Sequence, residues 1–144
     1  MNSNQLSGLC LEDLLPHRAP MLLIDQILEV DSGHALTLSR VAGTWPLADR
    51  HGVAPLIMVE LAAQTAGVCN GWDRIRTQGP DSDQMGWLVA VKRADFFIDH
   101  LPIGTSVMVK AENTLSFDKF REVTSRVYDE DRLLAEVILQ LYQA

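Results

Sequence analysis

The segment 53–72 is apolar at almost every position of a helix that the sequence predicts to open at Pro55: Leu56, Ile57, Met58, Val59, Leu61, Ala62, Ala63, Ala66 and Val68. Proline suits the first helical position, where an N–H would have no partner inside the helix. A helix that is apolar on all sides has to be buried. Only Glu60 and Gln64 interrupt the run, and four residues apart they share one helical face. A carboxylate within a buried helix must be paired, protonated or put to use. The chain must therefore fold around this helix and also provide for Glu60. Ala63, Gly67 and Gly71, spaced by four, let the helix backbone approach a neighbour closely, its own sheet being the simplest one. The helix is expected to fray after Trp72–Asp73.

Around the helix the pattern is that of strands. Residues 1–8 are polar and read as a loose lead-in, and Leu11–Leu15 form a short helix or turn ended by Pro16. Residues 15–20 lie between and include two prolines, so they form an irregular corner. Residues 21–31 lead into a strand, Ser32–Gly33 is a turn, and His34–Val41 alternates as a half-buried strand should. Residues 42–52 are predicted as a loop. After the helix come a polar loop over 77–84 and strands over Met85–Val91, Val107–Leu115, Arg121–Tyr128 and Leu133–Tyr142. The acidic link Asp129–Asp131 is a hairpin turn. Two strands, one buried helix and about four more strands make an α+β domain with an antiparallel sheet, one domain over 1–144. A sheet covers the helix on one side, so a second copy is expected to cover the rest.

Composition narrows the function classes. The 144 residues are 47% hydrophobic, carry a formal charge of −7 and have a pI of about 4.9. That argues against nucleic acid or an anionic membrane as the main partner. Cys10 and Cys69 fit no metal-site or disulfide spacing, which implies a reduced, cytoplasmic protein and no metal. No signal peptide is visible, and no apolar run reaches the roughly 20 residues that span a bilayer.

Two motifs resemble a known family. Leu14-Leu15-Pro16-His17-Arg18-Ala19-Pro20, followed by Met21-Leu22-Leu23-Ile24-Asp25-Gln26-Ile27, is similar to the opening signature of the 3-hydroxyacyl-(acyl carrier protein) dehydratases of the hotdog fold. Glu60-Leu61-Ala62-Ala63-Gln64-Thr65-Ala66-Gly67 is similar to the central-helix motif of the same enzymes, and Pro102 and Gly104 before a strand are a weaker third match. The helix end, Ala63 to Trp72, resembles the dehydratase-like proteins of bacterial aryl polyene clusters. The resemblance implies an antiparallel sheet wrapped around one long helix and a double-hotdog dimer. It also implies removal of water from 3-hydroxyacyl thioesters in fatty-acid or polyene biosynthesis. No cofactor is implied, because the substrate rides on the phosphopantetheine arm of an acyl carrier protein. The partners implied are that carrier and a second hotdog subunit, identical or related.

Dehydration needs a base for the α-proton, an acid for the departing hydroxyl and donors for the thioester oxygen. By resemblance Glu60 is the acid, with a pKa expected to be raised by apolar surroundings. Gln64 is assigned to substrate binding or to orienting Glu60. The family's histidine position is occupied here by Pro46, and the nearest histidine is His51, followed by Gly52, which permits unusual backbone geometry. His51, sharing a pocket with the Glu60 of an opposite chain, is therefore the expected base. Pro55 has no N–H, so the oxyanion donors are expected at Leu56 and Ile57. His17 is expected to hold the N-terminal loop. Lys92–Arg93, Arg74–Arg76 and Lys119–Arg121 are the basic pairs available to an acidic carrier. Phe96, Phe97, Phe117 and Phe120 could line an acyl tunnel or fill the core. Two rival readings stand beside the enzyme. One is a catalytically weak or silent subunit partnering an active dehydratase. The other is an acyl thioesterase, which needs a helix carboxylate but no histidine.

Overall fold

The computed structural model describes residues 10–84 and 86–143. The lead-in over 1–8 and Met85 lie outside the described residues. A short helix α1 (Leu11–Leu14) is followed by β1 (Gln26–Val30), β2 (His34–Arg40), a two-stranded ribbon of β3 (Ala48–Asp49) and β4 (Gly52–Val53), and the long helix α2 (Ile57–Gln78). Then come β5 (Gly86–Phe96), β6 (Ser106–Phe117), β7 (Phe120–Asp129) and β8 (Arg132–Gln143). Six strands form one sheet in the order β1-β2-β6-β7-β8-β5, and every neighbouring pair in it is antiparallel. The sheet curves around α2.

Alternation decides which face each strand buries. In β8, Ala135, Val137 and Leu139 are fully buried towards the helix, and in β6 Val107, Val109 and Ala111 do the same. Between them, Lys110 and Glu112 face outward and pair at 3.0 Å. The main core joins Ile57, Met58 and Leu61 of α2 to Val107, Val109, Val127, Leu134 and Ala135 of the sheet. Burying a leucine such as Leu61 contributes about 1.5–3 kcal/mol. One polar link crosses this core. Thr65 Oγ1 donates to the Leu61 carbonyl at 2.8 Å, so Thr37 of β2 donates to Thr65 across 2.9 Å.

The helix differs from its sequence reading at both ends. It begins at Ile57, and Pro55 sits in the preceding turn. There the N–H groups of Ile57, Met58 and Val59 reach back three residues, to Ala54, Pro55 and Leu56. It also continues past Asp73 to Gln78. Asp73 and Arg76 pair at 3.1 Å, Thr77 donates to the Asp73 carbonyl, and the Arg76 guanidinium lies 5.1 Å from the Trp72 ring centre. Gly79, at φ +94°, closes the helix with a bond to the Ile75 carbonyl, a conformation for which glycine is the usual choice. The loop predicted over 42–52 contains the β3–β4 ribbon, too short to register as alternation.

The stripe of small residues divides: Ala63 packs with Val137 and Leu139 of the sheet, as expected, while Gly67 and Gly71 meet the end of α1 and the residue after it. A Cβ on Gly71 would land on the Leu14 carbonyl, and one on Gly67 would come within 2.5 Å of Leu15 Cδ2. Arg74 completes the junction. It is buried, and its guanidinium donates to the Asp13 carbonyl and to the carbonyl and hydroxyl of Ser82.

Candidate active site

Glu60 lies in the first turn of α2, where its face turns away from the sheet. Its Oε1 accepts two hydrogen bonds, from Gln64 Nε2 at 2.9 Å and from His17 Nε2 at 3.2 Å. Gln64 is fully buried and wholly engaged. Its Oε1 accepts from Leu23 N–H at 2.9 Å, and its Nε2 also donates to the Met21 carbonyl at 2.7 Å. The amide therefore ties the 21–23 segment to the helix and steadies Glu60, and it reaches any substrate only through that carboxylate. His17 is held by its neighbour. Arg18 donates to the carbonyls of Leu15, His17 and Glu12, which folds the corner over 15–20 into one conformation.

The expectation that burial raises the Glu60 pKa is overturned. The hydrogen bond from His17 is the largest influence and holds the carboxyl below its usual range. Partial burial pushes the other way, and the Gln64 hydrogen bond adds to the lowering. Burial alone predicts the wrong sign, because two donors converge on one oxygen.

His17 and Glu60 line one end of a cavity of about 240 Å³. The cavity follows the helix past Ala63, Gly67 and Asn70 to Arg74, about 21 Å along the axis. Leu14, Leu15, Trp87, Leu88 and Leu141 form its apolar walls, and Arg121 and Tyr142 add polar groups. The phenylalanines expected near an acyl tunnel do not line it. Phe117 is 77% exposed, and Phe96 and Phe97 are also on the surface.

His51 stands elsewhere in the chain. It is exposed in the turn between β3 and β4, its N–H donates to Asp49 Oδ1, and Arg50 Nε donates to its Nε2 at 3.1 Å. Its ring centre is 5.8 Å from that of His100. The turn depends on Gly52, at φ +125°, where a Cβ would strike the Leu101 carbonyl. Within one chain the structure brings Glu60, Gln64 and His17 together and does not bring His51 to them. Of the two expected oxyanion donors, the Ile57 N–H is already bonded to the Ala54 carbonyl at 3.1 Å. Leu56 is 60% exposed, and its N–H makes no hydrogen bond among the described residues.

The basic pairs separate by role. Arg74 is internal, Lys92 pairs with Glu122 at 3.2 Å, and Arg93 pairs with Asp95 at 2.6 Å. Arg121 alone of these six also shapes the cavity without being buried. Among the described residues no group of three or more His, Cys, Asp or Glu is arranged to hold a metal ion, and no helix is long and apolar enough to cross a membrane. The signal for His17 was in the sequence, in the proline-flanked Leu-Pro-His-Arg motif. Its meeting with Glu60 arises only from the tertiary fold.

Among solved structures, the dehydratase heterocomplex ApeI:P from Xenorhabdus doucetiae superposes with a TM-score of 0.85 at 22% identity, over 94% of this chain and 91% of that one. Cj0977, a virulence protein of Campylobacter jejuni, gives 0.71 at 16% identity over 99% and 92%. The sheet, the helix and these likenesses are those of the hotdog fold. Among curated proteins, the 3-hydroxyacyl-[acyl-carrier-protein] dehydratase FabZ of Streptococcus uberis is 41% identical over 63 residues, 40% of this chain and 45% of that protein. FabZ of Streptococcus pyogenes serotype M1 is 42% identical over 59 residues, 38% and 42% of the two chains. The chain thus matches less than half the length of these curated relatives. The family model of the ApeP-like dehydratases matches residues 9–144, so the chain belongs to the ApeP dehydratase family.

Proposed function

We propose that this chain takes part in removing water from 3-hydroxyacyl thioesters carried on the phosphopantetheine arm of an acyl carrier protein, with no cofactor. The observation that carries this reading is Glu60, with one oxygen fixed by two donors at the end of an apolar cavity. Glu60 serves the departing hydroxyl. The α-proton goes to a histidine base, His51 of a second hotdog chain or its counterpart in a related subunit, and the Leu56 N–H is placed to polarise the thioester carbonyl. The carbon–oxygen bond breaks, the hydroxyl leaves as water with a proton from the protonated fraction of Glu60, a double bond forms, and the α-proton held by the histidine returns to Glu60 through solvent.

A second subunit is favoured by two features. Glu60 and His51 are apart within the chain, and β5 is an unpaired sheet edge with exposed Trp87, Leu88, Val89 and Val91. An exposed apolar edge strand is a template for pairing with another chain. The likeness to a dehydratase heterocomplex supports a related, non-identical partner, and with it the reading in which this chain supplies Glu60 and the cavity while the partner supplies the base. Arg121 on the cavity wall and Lys119 in the adjoining turn suit an acidic carrier. The two free cysteines suit a cytoplasmic setting, and the likeness of the helix end to proteins of aryl polyene clusters suggests polyene precursors as substrates.

The test is dehydration of a 3-hydroxyacyl carrier protein by this chain, alone and with its hotdog partner, followed by mass spectrometry. Glu60→Gln should lower the rate by roughly 10²–10⁴-fold, the usual contribution of a general acid. A Glu60→Gln protein as fast as the wild type would refute the assignment. Release of free acid in place of the enoyl product would indicate a thioesterase.

A further inference from the structure

We propose that His17 is a positioning residue of the Glu60 site, fixing Oε1 so that Oε2 is the atom that faces substrate and carries the transferred proton. The inference rests on the dehydration reading above and assigns a role to a residue which that reading leaves outside the reaction.

The geometry supports it from both sides of the contact. Glu60 Oε1 is engaged by His17 and Gln64, and Oε2 has no hydrogen-bond partner among the described residues. Both His17 and Glu60 line the cavity. On the imidazole, Nδ1 is buried with no partner. A proton on Nδ1 would be a buried donor without an acceptor, which proteins rarely tolerate. The ring proton therefore belongs on Nε2, where it points at Glu60 and makes His17 a donor to it. Backbone and side-chain contacts keep the ring there. Arg18 fixes the corner, and Leu15 is pressed on Gly67. When Oε2 gives its proton to the leaving hydroxyl, the new carboxylate already holds two donors on Oε1, so no reorganisation is needed to accept the charge. His17 itself touches no reacting atom.

The other charged or titratable groups of the cavity are Arg74 of α2, Arg121 of β7 and Tyr142 of β8. Arg74 is bonded to Asp13 and Ser82, and none of the three is hydrogen-bonded to Glu60. The ionisation of Glu60 is thus governed by His17 and Gln64.

Two variants separate this role from simple support of the loop. His17→Phe fills the space but removes the donor, and His17→Gln restores an amide donor near the Nε2 position. Glu60 is titrated by carbon-13 NMR in the folded chain, and kcat and KM are measured against pH with the assembled dehydratase. In His17→Phe, Glu60 should titrate at higher pH, and the Glu60 limb of the kcat–pH profile should move up with it by the same interval, with little change in KM. His17→Gln should recover most of both. An unmoved Glu60 titration in a folded His17→Phe chain overturns the proposal, and so does a moved titration with an unchanged pH–rate profile. If the wild type fails to dehydrate the thioester, the functional reading falls, and the titration alone then decides whether His17 governs Glu60.

Discussion

A single oxygen of Glu60, Oε1, accepts both hydrogen bonds made to that side chain. With two donors on Oε1, the carboxylate form is favoured at neutral pH despite partial burial. The linkage to stability has a definite sign. The folded pKa is lowered below the ordinary 4.5, so the stabilisation is fully present above the unfolded value and is lost as pH falls through the folded one. Thermal unfolding of the wild type and of Glu60→Gln should therefore differ most near neutral pH and converge in acid. A gap that stayed constant into strongly acidic solution would show that the donors do not favour the charged form. Half of this site was legible in the sequence, because Glu60 and Gln64 are four apart on a helix and had to meet. The other half was not. His17 lies 43 residues before Glu60, and their contact exists only because Arg18 and Gln64 dock the corner on the helix. The sign of the pKa shift depended on that contact, so a reading from burial alone reversed it.

The elements were more legible than their ends. Alternation located β2, β6 and β8, whose faces each meet a uniform environment. The two-residue strands β3 and β4 are below the length at which a period can be recognised. Arg74 was expected among the basic pairs available to an acidic carrier, but it is turned inward by acceptors at Asp13, 61 residues before it, and at Ser82, beyond the end of the helix. The junction of α1 with α2 yields a prediction about elements. Gly71→Ala places a methyl group against the Leu14 carbonyl, whereas Gly86→Ala meets only ordinary van der Waals contact at 3.5 Å. Chemical denaturation should show Gly71→Ala losing about 1–3 kcal/mol, a typical overpacking cost, with Gly86→Ala near neutral. Equal effects would mean that α1 does not bear on the helix in solution.

At the scale of the whole molecule, one edge of the sheet is far less protected than the other surfaces. The outer faces of β6, β7 and β8 carry paired charges, including Arg126 with Glu136 at 3.0 Å. The β5 edge presents Leu88, Val89 and Val91 to solvent. A lysine on an edge strand opposes strand pairing. Val89→Lys should therefore weaken association with a second hotdog chain in sedimentation experiments and leave the thermal unfolding of the dilute chain little changed. Unaltered association would place the partner on another surface. The close approach of α1 to α2 also bears on how such a cavity can diversify. Where Gly71 meets the Leu14 carbonyl, the separation of wall and floor is set by main chain against main chain, with no side chain available to give way. Point substitutions can re-line this cavity, but its width there is inherited with the backbone. A chain that accommodates a bulkier ligand at that end needs a different α1 corner, by insertion or deletion in the residues before Pro16.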